Sequence, residues 1–228
     1  FAALTDQTDR QAVTVFNSLS FERTALVELP ERFGSGAKTL EGTWVPLQKT
    51  QEEERGKDGK RSVVKALVKL PSCGAVSLIP ADAGIVRGDA GNTSVQEAAL
   101  LSAAQVTVKK QAEGFVMENN RVKAVVNGRG EVVSFVLKSS GREFAAEPMN
   151  RFRLYKDVPR LFDAWDIDSN YVDQEIEAFK EVKVEAVSEG LEGVLKVSGR
   201  ISNSSLVQYI RLEAEGTRLN FDTQIDWK

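Results

Sequence analysis

Arg121-Val122-Lys123-Ala124-Val125-Val126, then Asn127-Gly128-Arg129-Gly130, then Glu131-Val132-Val133-Ser134-Phe135-Val136-Leu137, decides how the rest of the chain is read. Two runs alternate between apolar and polar residues and are split by turn-forming residues. Asn-Gly between alternating runs is a strong short-range signal for an antiparallel hairpin. Period-two alternation sets one face of each strand toward a core.

The same period extends both ways. Upstream, Ala12 to Phe16, Thr24 to Leu29, Thr43 to Leu47, Ser62 to Leu70 and Ala75 to Ile79 read as strands. Asn17-Ser18, Gly34-Ser35-Gly36, Gly56-Lys57-Asp58-Gly59 and Pro71-Ser72-Cys73-Gly74 separate them with turn chemistry. Five short strands in this span predict a small immunoglobulin-like β-sandwich over 10–80. The charged run Gln51 to Arg61 reads as a solvated hairpin tip. Residues 81–105 form a connector, in which Val95 to Gln105 has the composition of a short helix or an extended linker. From Val106 the alternation resumes. It continues through Ala178 to Val187, Gly193 to Ile201, Leu206 to Ala214 and Arg218 to Asp226, long enough for a large sheet over 106–228. A chain that stops on Ile225-Asp226-Trp227-Lys228 and begins at Phe1 reads as a piece of something longer.

Composition bounds the chemistry. With 228 residues, 42% hydrophobic and 28% charged, the chain can build a core in water. A net charge of −3 with both signs interspersed offers no footprint for nucleic acid or an anionic membrane. No apolar run has the length of a membrane span. Cys73 is the single cysteine, so no internal disulfide forms. That fits a reducing compartment, and a cytoplasmic location is expected. Asn92-Thr93-Ser94 and Asn203-Ser204-Ser205 match the glycosylation triplet and read as inert surface turns. The chain contains no histidine. Ser-His-Asp and Cys-His catalysis are thereby excluded, and the commonest zinc ligand is missing.

One segment breaks the β pattern: Asp157-Val158-Pro159-Arg160-Leu161-Phe162-Asp163-Ala164-Trp165-Asp166-Ile167-Asp168-Ser169-Asn170-Tyr171. Loops usually run to Gly, Asn, Ser and Pro. This one holds Phe, Trp and Tyr beside four Asp residues. A glycosidase-type carboxylate pair is one reading, but retaining and inverting mechanisms need carboxyls on two sides of the sugar. A calcium loop through Asp163, Asp166 and Asp168 is a second, though the central Gly and terminal Glu of that loop type are missing. A third is structural: Asp side chains capping turns, Trp165 and Phe162 buried beneath, and Arg151, Arg153, Lys156 and Arg160 pairing with the carboxylates. A fourth is a surface for a partner domain or a sugar, built on Asp157, Asp163, Trp165, Asp166 and Tyr171.

Asp157-x-Pro159 followed by Asp163-Ala164-Trp165-Asp166-Ile167 resembles the Asp-x-Pro…Asp-Ala-Trp-Asp segment of glycoside hydrolase family 38 α-mannosidases. Val15-Phe16-Asn17-Ser18-Leu19-Ser20-Phe21-Glu22-Arg23 resembles that family's Val-Phe-Asn-Pro-Leu-Ser-Trp-x-Arg strand, with Ser18 in place of Pro and Phe21 in place of Trp. Met117-Glu118-Asn119-Asn120-Arg121-Val122 through Gly130-Glu131-Val132-Val133-Ser134-Phe135 is similar to the hairpin that opens the family's large sandwich. Leu219-Asn220-Phe221-Asp222-Thr223-Gln224-Ile225-Asp226-Trp227 is similar to its Leu-x-Phe-x-Thr-x-Val-Asp-Trp strand. The four segments stand in the family's order.

The resemblance implies an all-β chain: a small β-sandwich followed by part of a large antiparallel β-supersandwich of the galactose-mutarotase-like type. It implies a parent with a barrel-like catalytic domain, a zinc ion held by His and Asp, an Asp nucleophile for retaining hydrolysis, and a helical middle domain. None of these residues maps onto this sequence, so no catalytic or metal-binding residue is expected here, and the zinc would sit in the parent's catalytic domain. The implied partners are the catalytic and helical middle domains and, through them, α-mannoside glycans. An autonomous carbohydrate-binding sandwich is the competing reading. A mutarotase-like epimerase is disfavoured, since such enzymes use histidine as acid.

Overall fold

The computed structural model describes residues 11–34, 36–53, 59–81, 105–162, 165, 167–176 and 179–228. The predicted connector over 81–105, including the segment Val95 to Gln105, lies almost wholly outside the described residues, as do Asp163, Asp166 and the Asn92 triplet. The described chain is all-β, with two short 3-10 turns. Contacts divide it into two units. The first takes the described residues of Phe1–Gln105 together with Gly190–Glu192 and Glu213–Glu215. The second takes Val106–Glu189, Gly193–Leu212 and Gly216–Lys228.

In the first unit the strands are β1 (Val13–Phe16), β2 (Arg23–Leu29), β3 (Ala37–Thr39), β4 (Trp44–Val45), β5 (Leu47–Glu53), β6 (Lys60–Leu70) and β7 (Ala75–Pro80). They form a sheet in the order β1-β7-β3-β4 and a second in the order β2-β6-β5. Ala25, Leu29, Val64, Ala66, Val68 and Leu70 from one sheet meet Ala37, Val45 and Leu78 from the other around a buried Phe33. Each face is apolar at alternate positions, so only stacking hides it from water.

The predicted strand Thr43 to Leu47 is instead two strands in different sheets. Pro46 between them has no backbone N–H and cannot continue a ladder. Its carbonyl accepts a bond from Leu67 N at 3.0 Å as the chain crosses over. The charged run is also more than a solvated tip. β5 reaches Glu53 and β6 begins at Lys60, so its flanks are paired strand, with Glu52 opposite Arg61. Strand β3 carries too short a run for the period to reveal.

Asn17 explains one segment of the family-like pattern. It is 5% exposed, and its amide donates to the carbonyls of Phe21 and Pro71, both at 2.8 Å. The side chain thus ties two turns together.

In the second unit, β8 (Thr107–Gln111), β9 (Gly114–Glu118), β10 (Val122–Asn127), β11 (Val132–Leu137) and β12 (Arg142–Glu143) form one antiparallel sheet in reverse chain order. β15 (Phe179–Ser188), β16 (Glu192–Ile201), β17 (Ser204–Glu213) and β18 (Leu219–Asp226) form another, in chain order, with the end residues Glu192 and Glu213 counted in the first unit. Two short strands, β13 (Leu154–Tyr155) and β14 (Glu175–Ile176), pair separately. Along β17 the buried residues are Ser204, Leu206, Gln208, Ile210 and Leu212, every second one.

The hairpin that anchors the sequence reading is present, with a different turn. Gly130 N bonds Asn127 O at 3.0 Å, and Asn127 N bonds Glu131 O at 2.9 Å. Gly130 takes the positive φ of 78°. This is the three-residue loop with a left-handed last residue, rather than the two-residue form. A Cβ at Gly130 would fall 2.6 Å from Val197 Cγ1, so glycine also lets the turn lie on β16. Asn119, 4% exposed, closes the preceding turn by accepting the N–H groups of Arg121 and Val122 at 2.8 Å and donating to Gly216 O at 2.9 Å.

Candidate functional site

The Asp157–Tyr171 segment belongs to the second unit and is closed at its base. Leu154 pairs with Ile176 and Tyr155 with Glu175. Lys156 N donates to Gln174 O at 2.9 Å. The Tyr155 and Tyr171 rings meet edge to face, 5.2 Å between centroids. Tyr171 sits in the 3-10 turn Ser169–Asp173, whose N–H at Tyr171 bonds Asp168 O at 3.0 Å. A short strand pair plus an edge-to-face aromatic pair gives a long loop fixed ends.

Below this stem the chain is anchored again. Asn150 takes a left-handed φ of 60°. Its amide nitrogen donates to Gln208 Oε1 at 2.7 Å and to Gly130 O at 2.9 Å. Gln208, 2% exposed, donates back to Asn150 Oδ1 at 3.1 Å and to Thr223 Oγ1 at 2.8 Å. Phe152 packs on Phe179, ring centroids 5.1 Å apart.

At the tip the pattern inverts. Trp165 is 92% exposed and Leu161 84%, while Val158, Phe162, Ile167 and Val172 are all more than half exposed. The expectation that Trp165 and Phe162 lie buried beneath the loop is therefore not met, because no layer of the described chain covers them. Arg160 forms a forked pair with Asp168: Nε to Oδ2 at 2.9 Å and Nη2 to Oδ1 at 3.3 Å. Of the four cations proposed to pair with the loop's carboxylates, Arg160 does so. Arg151 instead lies 3.6 Å from Glu131, and Arg153 donates to Tyr155 Oη at 3.3 Å. Pro159, Arg160, Leu161, Phe162 and Asp168 line an open concavity of about 410 Å3.

Of the five residues singled out from sequence, Tyr171 belongs to the stem, and Trp165 stands in solvent at the tip. Asp157 is exposed at the stem's exit. Asp163 and Asp166 lie outside the described residues. Among the described residues no group of three His, Cys, Asp or Glu side chains is placed to hold a metal ion. With no histidine and one exposed cysteine, the donor set does not suit zinc. Sequence reasoning missed the Asn150–Gln208 clamp. Neither a left-handed Asn nor a partner on a strand 58 residues away leaves a periodic signal.

The profile of the glycosyl hydrolases family 38 C-terminal domain matches residues 117–228. Alpha-mannosidase 2C1 of Homo sapiens is 33% identical over 172 residues, covering 71% of this chain and 15% of that protein. Its Mus musculus counterpart is 33% identical over 178 residues, covering 74% of this chain and 17% of that protein. The chain thus spans about a sixth of the length of these curated relatives. Among solved structures, an alpha-mannosidase from Enterococcus faecalis aligns with 96% of this chain and 30% of its own, at a TM-score of 0.42 and 11% identity. On the family profile and the two relatives, the chain belongs to glycosyl hydrolase family 38, whose C-terminal domain it carries over residues 117–228.

Proposed function

We propose that the chain is a non-catalytic C-terminal β-region of a zinc-dependent, retaining α-mannosidase that removes terminal α-mannosides in the cytoplasm. In this reading the Asp157–Tyr171 loop packs against the enzyme's catalytic and helical middle domains and borders the mouth of the active site. The match of residues 117–228 to the family's C-terminal domain carries the proposal. Two observations support the division of labour. The 228 residues contain no histidine, so the chain brings no imidazole to bind zinc or move a proton. Apolar side chains clustered on a loop with fixed ends make a poor free surface and a good interface, where Trp is favoured. No helix among the described residues is long and apolar enough to cross a membrane. The charge pattern supports neither nucleic acid nor membrane as a partner.

The test uses 4-nitrophenyl α-mannoside with zinc present. The 228-residue chain alone is expected to be inactive. In an enzyme of the relatives' length carrying this region, Trp165→Ala combined with Leu161→Ala should lower kcat/KM about tenfold or more, the scale of a lost interface anchor. Hydrolysis by the chain alone would overturn the non-catalytic assignment. Unchanged activity and melting temperature in the double variant would overturn the interface.

A further inference from the structure

We infer that one face of strands β8, β9 and β10 is a docking surface for an acidic, extended segment of another protein, held by Lys109, Lys123 and Lys138. The surface is built from elements other than the Asp157–Tyr171 loop, and it stands whether or not that loop meets a catalytic domain.

The pleat places the cations together. Lys123 lies opposite Glu118 in the ladder, and Glu118 opposite Thr107. Lys109 lies opposite Val116, two residues along β9 from Glu118. Residues two apart on a strand share a face, so Lys109, Glu118 and Lys123 stand on one side of the sheet. Met117, Val122 and Ala124 are fully buried on the other. Lys138 follows the end of β11 and reaches the same carboxylate. Its Nζ lies 2.6 Å from Glu118 Oε1 and donates to Asn119 O at 2.6 Å. All three lysines are exposed. The hydrogen bond from Lys138 does most to hold the Glu118 carboxyl below its ordinary value against partial burial, and the charges of Lys138, Lys123 and Lys109 add to it. One carboxylate thus serves three cations. Among the described residues, Lys109 and Lys123 form no ion pair. Glu143 stands in the same row beyond Val136, but its carboxylate is taken by Ser134 and by the N–H groups of Phe135, Phe144 and Ala145.

The spacing specifies the occupant. Local positive excess on a chain of net charge −3 is complementary to acceptors from outside. Strands β8 and β10 flank β9, so Lys109 and Lys123 are rooted about 10 Å apart. A single small anion engages one of them. An extended segment presents same-side residues about every 7 Å, so carboxylates at alternate positions engage both. Nucleic acid fits this face poorly. Its other residues, Thr107, Val116 and Val125, offer no ring on which a base could stack.

The experiment titrates the labelled 228-residue chain with the peptide acetyl-Glu-Thr-Glu-Thr-Glu-amide, followed by NMR. Saturable shifts at Lys109, Glu118, Lys123 and Lys138 are expected, with a dissociation constant on the order of 1 mM, because exposed ion pairs are individually weak. Affinity should fall several-fold between about 0.01 M and about 0.15 M salt, as the Debye length shrinks from about 30 to about 8 Å. Lys109→Gln with Lys123→Gln should weaken binding about fivefold. Glu118→Gln removes the competing carboxylate and should strengthen it about threefold, a gain that a merely structural role would not produce. Both lysines are exposed, so the double variant keeps the fold, and its amide spectrum checks this. Absence of saturation overturns the proposal. So does equal affinity for acetyl-Gln-Thr-Gln-Thr-Gln-amide, or a constant that both the double lysine variant and Glu118→Gln leave within about twofold. Tighter binding of oligodeoxythymidylate than of the acidic peptide at equal salt also overturns it, and would give the face to nucleic acid.

Discussion

Two regions of this chain reverse the usual placement of charge and oil. In the first unit, Lys65 on β6 is 8% exposed and donates to Glu52, at 2.8 Å, and to Glu192, itself 6% exposed. The side-chain amide of Gln48 pairs with the backbone of Glu192 in both directions, at 2.9 and 3.3 Å. In the second unit, the loop tip holds Leu161 and Trp165 almost fully in water. Buried charge persists where it is paired, because an unpaired charge costs several kcal/mol. Exposed aromatics gain nothing for the fold that bears them. The first region therefore concerns stability, and the second presents apolar surface that the described chain leaves in water.

The sharpest way to break that contrast is at Lys65. Lys65→Ala removes the buried cation that Glu52 and Glu192 share, and should cost about 3–5 kcal/mol. A lower urea midpoint with an unchanged slope would report it. Lys65→Met together with Glu52→Leu and Glu192→Leu should recover most of the loss, since an apolar replacement removes the desolvation problem entirely. If the single and triple variants are equally unstable, the cluster acts through packing of the lysine stem and not through its charge.

A smaller effect is expected at Glu143, where a charge is held firmly but outside. Its carboxylate accepts the Ser134 hydroxyl and the backbone N–H groups of Phe135, Phe144 and Ala145. The Ser134 hydrogen bond leads these in lowering the pKa from 4.5 to about 2. The folded value lies below the unfolded one. The contribution to stability is therefore complete above the unfolded pKa and is lost as pH falls through about 2. NMR titration should place the Glu143 midpoint near that value, and Ser134→Ala should move it upward. A midpoint in the ordinary carboxylate range would mean that the backbone bonds do not persist in solution.

The sequence makes one half of this contrast legible and hides the other. Period-two runs locate the main strands because alternation follows from the pleat itself. They do not show which faces are covered. Phe221 and Ile225 sit opposite Ile210 and Leu206 in the ladder, on the same face of the sheet. Their partners are at most 1% exposed, while Phe221 and Ile225 are 44% and 45% exposed. Lys65 reads as an outward residue of a half-buried strand, and its partner Glu192 lies 127 residues away, beyond any local pattern. The loop's unusual composition is plain in the sequence. Its closed stem is not, because single pairings carry no period; the pairing of Arg160 with a loop carboxylate is expected from the sequence, and only the choice of Asp168 needs the structure. Pro46 shows the reverse: the residue that moves the chain between sheets is visible, and only its consequence needs the structure.

The smallest expected effect is the most telling. Trp165→Ala removes the largest side chain of the loop, yet at 92% exposure there is almost no buried area to lose. Surface substitutions away from caps, cores and ion pairs change stability by less than about 0.5 kcal/mol. A buried Trp cut to Ala costs about 3–5 kcal/mol. The two cases are far enough apart for a urea melt of the 228-residue chain to separate them. An unchanged midpoint assigns Trp165 to a surface that this chain does not itself cover, as the interface proposal requires. A fall of a few kcal/mol would place the indole against the chain's own residues and return the loop to the architecture of the sandwich. Lys65→Ala and Trp165→Ala would then no longer stand at opposite ends of one scale.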